Sequence, residues 1–285
     1  MAGFKRVVAA VDLSMVSKVV IDAAKACAKR FGCELTVIHV MEEYGEEDER
    51  LLLPVLRGWV DEARRETREA FDELLAKSFT SDERYEEKLL EGSASEHVLA
   101  ELNASLNALL IMGAPHPDRS LAATLGKILR GATSPVVIAR NSPAKSYERV
   151  VLAVDLAHIE RAAVAPVKAL SSPGASITLV NVIPTGPFKN KHEEVQAVVG
   201  LRQKMLERWA EKEGFLRAEP VVVACDPREA LVNEAKRVGA DLLALGMRSG
   251  GRLRHLLLGS AAKEAAHKAP CDVLLSPPRR LAKER

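Results

Sequence analysis

The chain has 285 residues, of which 47% are hydrophobic and 4% aromatic, and its formal net charge is +2. That length suits one large domain or two of ordinary size, and the near balance of charge excludes nucleic-acid binding through bulk positive charge. Cys27, Cys33, Cys225 and Cys271 lack CxxC spacing in a chain too large to need disulfides, so they are expected to be reduced and mostly buried.

Residues 1–6 run straight into a strand-like pattern without an apolar signal region, and no apolar run approaches the ~18 residues that suggest a membrane span. A cytoplasmic location, away from the membrane, is expected. A first strand is predicted near 5–11, then an Ala-rich helical pattern over 15–31 and a second strand near 34–40. Next come an acidic run, 42–49, and a long helical pattern from about 50 to 78. Acidic runs ordinarily make a solvated face or a helix N-terminus; the alternative is a docking surface for a basic partner. Strands near 84–90, 108–112 and 135–140 complete this part, and residues 141–146, polar and broken by Pro143, make a linker.

The same plan then begins again. Arg149-Val-Val-Leu-Ala-Val-Asp155 repeats Arg6-Val-Val-Ala-Ala-Val-Asp12, and an Ala-rich stretch over 158–171 answers 15–31. Strands are predicted near 149–154, 175–182, 218–223, 241–245 and 272–276. Short β-branched runs alternating with amphipathic segments indicate βαβ units. The fold class is therefore α/β, with two tandem copies of an open, doubly wound, five-stranded parallel sheet. The copies span 1–141 and 147–278, and 279–285 form a basic tail.

Three features of the second copy converge at strand ends, where open parallel sheets bind ligands. Asp155 ends the first strand, Val182 the second and Gly246 the fourth. A carboxylate accepts a hydrogen bond from a ribose hydroxyl, and a valine flanks an adenine ring. The segment 246–260 is rich in small and basic residues and delivers Gly259 and Ser260 to the start of an Ala-rich helix, the arrangement by which backbone N–H groups hold phosphate. Arg248, Arg252, Arg254 and His255 are available to balance the charge.

The strand opening, paired with Gly246 and then Gly259 and Ser260, resembles the universal stress protein family, whose pattern is Gly-x-x-Gly, nine residues and Gly-Ser, in its ATP-binding type and in tandem form. The resemblance covers about 3–141 and 147–277. It implies a Rossmann-like fold of the adenine nucleotide alpha hydrolase kind. It also implies nucleotide contacts at Asp155, Val182, Gly246, Arg248, Ser249, Gly250, Gly259 and Ser260. The ligand is then ATP, or AMP or ADP, with Mg²⁺ on the phosphates and Ser260 as the nearest oxygen. An internal pseudo-dimer made by the last strands of the two copies, a homodimer of such chains and an unknown protein partner are further implications.

Ser249 departs from the family pattern, which has glycine there. If that position needs positive φ, serine costs roughly 1 kcal/mol. Gly126 also stands thirteen residues after Gly113, but counting back from the last strand matches Gly259 and Ser260 to Ala122 and Ala123. Gly126 then falls inside a helix, Pro115 and Pro117 remove N–H donors, and the phosphate loop of the first copy is expected to be lost. Gly126-Lys127 is not a P-loop, because Ile128 follows and no glycine stands five residues before. Ser260-Ala-Ala-Lys263 lacks the partner motifs of penicillin-binding enzymes. The seven histidines are scattered, and His39, on a strand, is expected to be packed or hydrogen-bonded. The functional expectation is a nucleotide-binding stress-response regulator or adaptor. The alternatives are a nucleotide-free interaction scaffold and a slow ATP hydrolase or phosphotransferase.

Overall fold

The computed structural model describes residues 3–41, 54–114, 124–140, 146–156, 161–184, 192–249, 256–257 and 259–278. The acidic run 42–49, most of the linker and the tail 279–285 lie outside the described residues. In the first copy the chain forms β1 (Arg6–Val11), α1 (Ser17–Phe31), β2 (Glu34–Met41), α2 (Pro54–Ser78), β3 (Glu86–Glu91), α3 (Ala94–Asn103), β4 (Ala108–Gly113), α4 (Thr124–Gly131) and β5 (Val136–Ala139). The second copy contains β6 (Tyr147–Ala153), α5 (Val164–Leu170), β7 (Ser171–Ile183), α6 (His192–Lys212), β8 (Glu219–Ala224), α7 (Pro227–Arg237) and β9 (Leu242–Gly246). It ends with β10 (Arg248–Ser249), β11 (Leu256–Leu257), α8 (Ser260–Lys268) and β12 (Asp272–Ser276).

Strands without polar residues on either side must be covered on both faces. Val7, Ala9 and Val11 of β1 face a core built with Ile21 and Ala24 of α1 and Phe71 of α2, while Val8 faces the other way, toward Leu102 of α3 and Leu129 of α4. The second copy repeats this, with α5 and α6 on the first face and α7 and α8 on the second. The strand order is β3-β2-β1-β4-β5-β12-β9-β6-β7-β8, so the two five-stranded units merge into one ten-stranded sheet. Neighbours are parallel within each copy, and β5 meets β12 antiparallel, with Val137 opposite Leu274. The expected pairing of the last strands is therefore present. Among the described residues no helix is long and apolar enough to cross a membrane.

Two expectations need correction. The helix placed over 158–171 is α5, which starts at Val164 and stops at Leu170. Pro166 explains the late start: its missing N–H is harmless only within the first turn. Ser171 already pairs with Tyr147, and the ladder slips before Arg149 meets Ser176, because Pro173 and Gly174 cannot sustain it. The cysteines are free, but only Cys271 is buried; Cys27, Cys33 and Cys225 are partly exposed. Cys33 follows the left-handed turn at Gly32 (φ 59°) that ends α1, and Cys225 follows β8, a sheet edge with a neighbour on one side alone. Burial nevertheless pushes the Cys27 and Cys271 thiols up to about 12.

One device occurs in both copies without a motif to announce it. Lys25 Nζ donates to the Ser78 carbonyl at the end of α2 and lies 4.8 Å from the Phe79 ring centre. Lys168 Nζ donates to the Glu213 carbonyl just past α6 and lies 4.9 Å from the Phe215 ring. Each ammonium satisfies an orphan carbonyl at the negative end of a long helix.

Polar clamps hold the copies together. The Asp272 carboxylate, 2% exposed, accepts from the Arg140 N–H and the Tyr147 hydroxyl, both at 2.8 Å. These two donors flank the linker. Burial, and then the Asp272 charge, hold the Tyr147 hydroxyl well above its usual range, so it stays a donor. Arg30 on α1 donates to the carbonyls of Leu170 and Ser171 at 2.6 and 2.7 Å. Replacing Asp272 by Ala orphans the Arg140 N–H, and urea unfolding should show a loss of about 2–3 kcal/mol. A disulfide-exchange reagent at pH 8 should leave the Cys27 and Cys271 thiols unreacted in the native protein and reach them once it is unfolded.

Candidate functional site

In each copy the strand order reverses beside the first strand: β1 lies between β2 and β4, and β6 between β7 and β9. The connections that follow those strands leave toward opposite faces, which opens a crevice at the carboxyl ends. Because β5 and β12 run antiparallel, the two crevices open at opposite edges of the sheet.

In the second crevice, half-buried Asp155 stands two residues past the end of β6. Val182, partly exposed, is the penultimate residue of β7 and pairs with Val223. Gly246 closes β9 opposite Ser276. Met247 then donates its N–H to the Ser276 carbonyl at 2.7 Å and is 2% exposed, so the strand stays anchored for one more residue. The sequence suggested an irregular loop beyond this point. The backbone instead forms an antiparallel ribbon in which Arg248 pairs with Leu257 and Ser249 with Leu256. Ser249 is extended and has no positive φ; among the described non-glycine residues that conformation occurs at Leu13 and Asn107. Serine therefore carries no backbone strain here, and the expected penalty is absent. Gly250, Arg252, Arg254 and His255 lie outside the described residues. The ribbon's second strand also touches α4 of the first copy.

The ribbon leads to Gly259, the N-cap of α8, with φ −61° and ψ 156°. No side chain caps this helix, its first turn carries no acidic residue, and Ser260, its first residue, is exposed. Among the described residues a Cβ built on Gly259 meets nothing within 4 Å, and its φ is open to any residue. Neither its backbone nor the described packing demands glycine. What the missing side chain provides is close access to the first N–H groups of α8, where partial positive charge collects. An anion fits that chemistry.

In the first crevice Asp12 is exposed and bonded by its own turn. Asp12 Oδ1 accepts from the Ser14 N–H at 3.0 Å and from the Ser17 hydroxyl at 3.1 Å. A Cβ on Gly113 would sit 3.2 Å from Val16 Cγ1, so α1 crowds the end of β4. Gly126 is the buried third residue of α4 rather than its N-cap. Gly113 pairs with Ala139 as Gly246 pairs with Ser276, and the connection between the members of the first pair is four residues shorter. Pro115, Pro117, Ala122 and Ala123 lie outside the described residues.

Asn181 escaped motif-based reasoning, while His39 is hydrogen-bonded as its place on a strand suggested. Asn181 Nδ2 donates to the Val154 carbonyl at 2.7 Å, and His39 Nδ1 donates to the Val11 carbonyl at 2.8 Å. Each stands immediately before the valine, Val182 or Val40, that the repeat places beside the crevice. A polar residue in the same register of two otherwise apolar strands was the available signal.

Burial raises the Asp12 pKa, but the Ser14 and Ser17 hydrogen bonds outweigh it and leave the carboxyl below its ordinary 3.8. A carboxylate depressed by folding stabilises above its unfolded pKa, and the benefit disappears as pH falls through the lower folded value. Denaturant titrations should therefore find Asp12→Ala less stable than the parent at neutral pH, with the gap closing below about pH 4.

Comparison with known proteins agrees with this architecture. The model of the universal stress protein family matches residues 3–140 and again 146–277. A universal stress protein from Archaeoglobus fulgidus DSM 4304 superimposes with a TM-score of 0.67 at 17% identity, covering 97% of this chain and 99% of its own. A functionally unknown protein from Pseudomonas aeruginosa PAO1 follows with a TM-score of 0.61 at 16% identity, over 97% and 93% of the two chains. No curated protein matches the sequence. With one family model matched twice across nearly its whole length, the chain belongs to the universal stress protein family.

Proposed function

We propose that the second copy binds ATP, or AMP or ADP, and that the protein acts as a cytoplasmic stress-response regulator or adaptor. The ligand contacts are Asp155, Val182, Gly246, Arg248, Ser249, Gly250, Gly259 and Ser260. The observation that carries this reading is Gly259: a glycine that the chain's own geometry does not require, at the uncapped start of α8 and at the end of a ribbon. Phosphate would take the first N–H groups of that helix, with the ribbon over it, while Asp155 and Val182 hold ribose and base. Mg²⁺ would travel on the phosphates and meet the Ser260 hydroxyl.

The functional units are 1–141 and 147–278, with 279–285 as a basic tail. The first copy, whose Asp12 already serves Ser14 and Ser17, is the half that offers surface to a protein partner. Nucleotide would order the ribbon and so change the surface shown to that partner.

Calorimetry with ATP should find one site per chain. Gly259→Val should weaken binding at least about tenfold by placing a side chain where phosphate approaches, while costing no more than about 1 kcal/mol of stability. Absence of binding at millimolar ATP by the folded parent would overturn the proposal.

A further inference from the structure

We infer that Asn181 is a positioning residue that sets the gap in which the adenine base lies, an inference that rests on the nucleotide site proposed above. The backbone ladder between β6 and β7 runs out at the crevice. Ala153 pairs with Val180, the Val154 N–H donates to the Val180 carbonyl at 2.8 Å, and β7 then continues to Ile183 while the other chain turns away. At this divergence the Asn181 amide reaches across to the Val154 carbonyl. The tether joins the residue before Asp155 to the residue before Val182. Its two anchors are thus one bond removed from the groups that would hold ribose and base.

The other copy solves the same problem with a different side chain. Arg6 pairs with Glu34 and Arg149 with Ser176, so His39 and Asn181 occupy the same register. His39 must carry its proton on Nδ1 to donate to the Val11 carbonyl, the counterpart of Val154. Two unlike side chains making one bond point to the bond, rather than the residue, as the thing required.

Stability alone does not account for Asn181. It is 4% exposed, and among the described residues its buried Oδ1 has no hydrogen-bond partner. A neutral hydrogen bond contributes no more than a buried orphan acceptor costs, so the pair of effects roughly cancels. An apolar side chain of the same size would remove the tether and exchange one orphan acceptor, Asn181 Oδ1, for another, the Val154 carbonyl. What would be lost is the fixed separation of the strand ends.

Asn181→Leu and Asn181→His, with the parent, separate these roles when ATP and inorganic tripolyphosphate are titrated by calorimetry. Asn181→Leu should weaken ATP about tenfold or more, with tripolyphosphate affinity within about twofold and the melting temperature nearly unchanged. Asn181→His, which restores the bond used in the first copy, should bind ATP like the parent. Equal weakening of both ligands, or parent-like ATP binding by Asn181→Leu, would overturn the inference while leaving the nucleotide site standing. Failure of the parent to bind either ligand would remove both. Should Asn181→Leu fail to fold, ATP binding by Asn181→His decides: a loss there sinks the inference.

Discussion

The antiparallel contact between β5 and β12 is the constraint on which the rest of the molecule depends. Each strand would otherwise be an apolar sheet edge, with Val136, Val137 and Ile138 on one side and Val273, Leu274 and Leu275 on the other, all buried. Unpaired edges of that composition invite aggregation, and pairing the copies removes both. The junction also fixes direction. Five strands point one way and five the other, so the crevices face opposite edges of one continuous sheet. The clamps at the junction are not symmetric. Asp272 holds both ends of the linker, whereas the corresponding position of the first copy is Pro135, which has no side chain able to do so.

Duplication followed by divergence explains the contrast between the crevices. Both keep an aspartate after the first strand, a valine near the end of the second and a glycine at the end of the fourth. In the first copy the aspartate is satisfied locally, α1 crowds the glycine and the path to the last strand is four residues shorter. In the second the path carries a ribbon and arrives at an uncapped helix. The difference between the two halves is one of the connection that leaves the fourth strand rather than of fold.

Much of this was legible in the residues. Apolar β-branched runs placed the ten sheet strands to within a few positions, and the repeat located the junction and the position of Gly126, because strand register propagates faithfully from Pro135 and Asp272. Gly259 was readable as a helix start for the same reason. The ribbon was not: two-residue strands leave no periodicity, so Ser249 looked strained when it is merely extended. The start of α5 was missed because an Ala-rich stretch outweighed the restriction imposed by Pro166. Lys25, Lys168 and Asn181 are single long-range contacts, and nothing local distinguishes such a lysine or asparagine from a solvated one.

The contact between β11 and α4 gives the first copy a structural role in the second. The second copy's ribbon does not stand free; part of it rests on a helix encoded more than a hundred residues earlier. Divergence is therefore unevenly tolerated across the first copy. Its own crevice can drift, but β5 and α4 are committed to their neighbour and must keep their shape. Excising residues 147–278 as a minimal binding unit would strip away an edge strand's partner and the ribbon's support in the same cut.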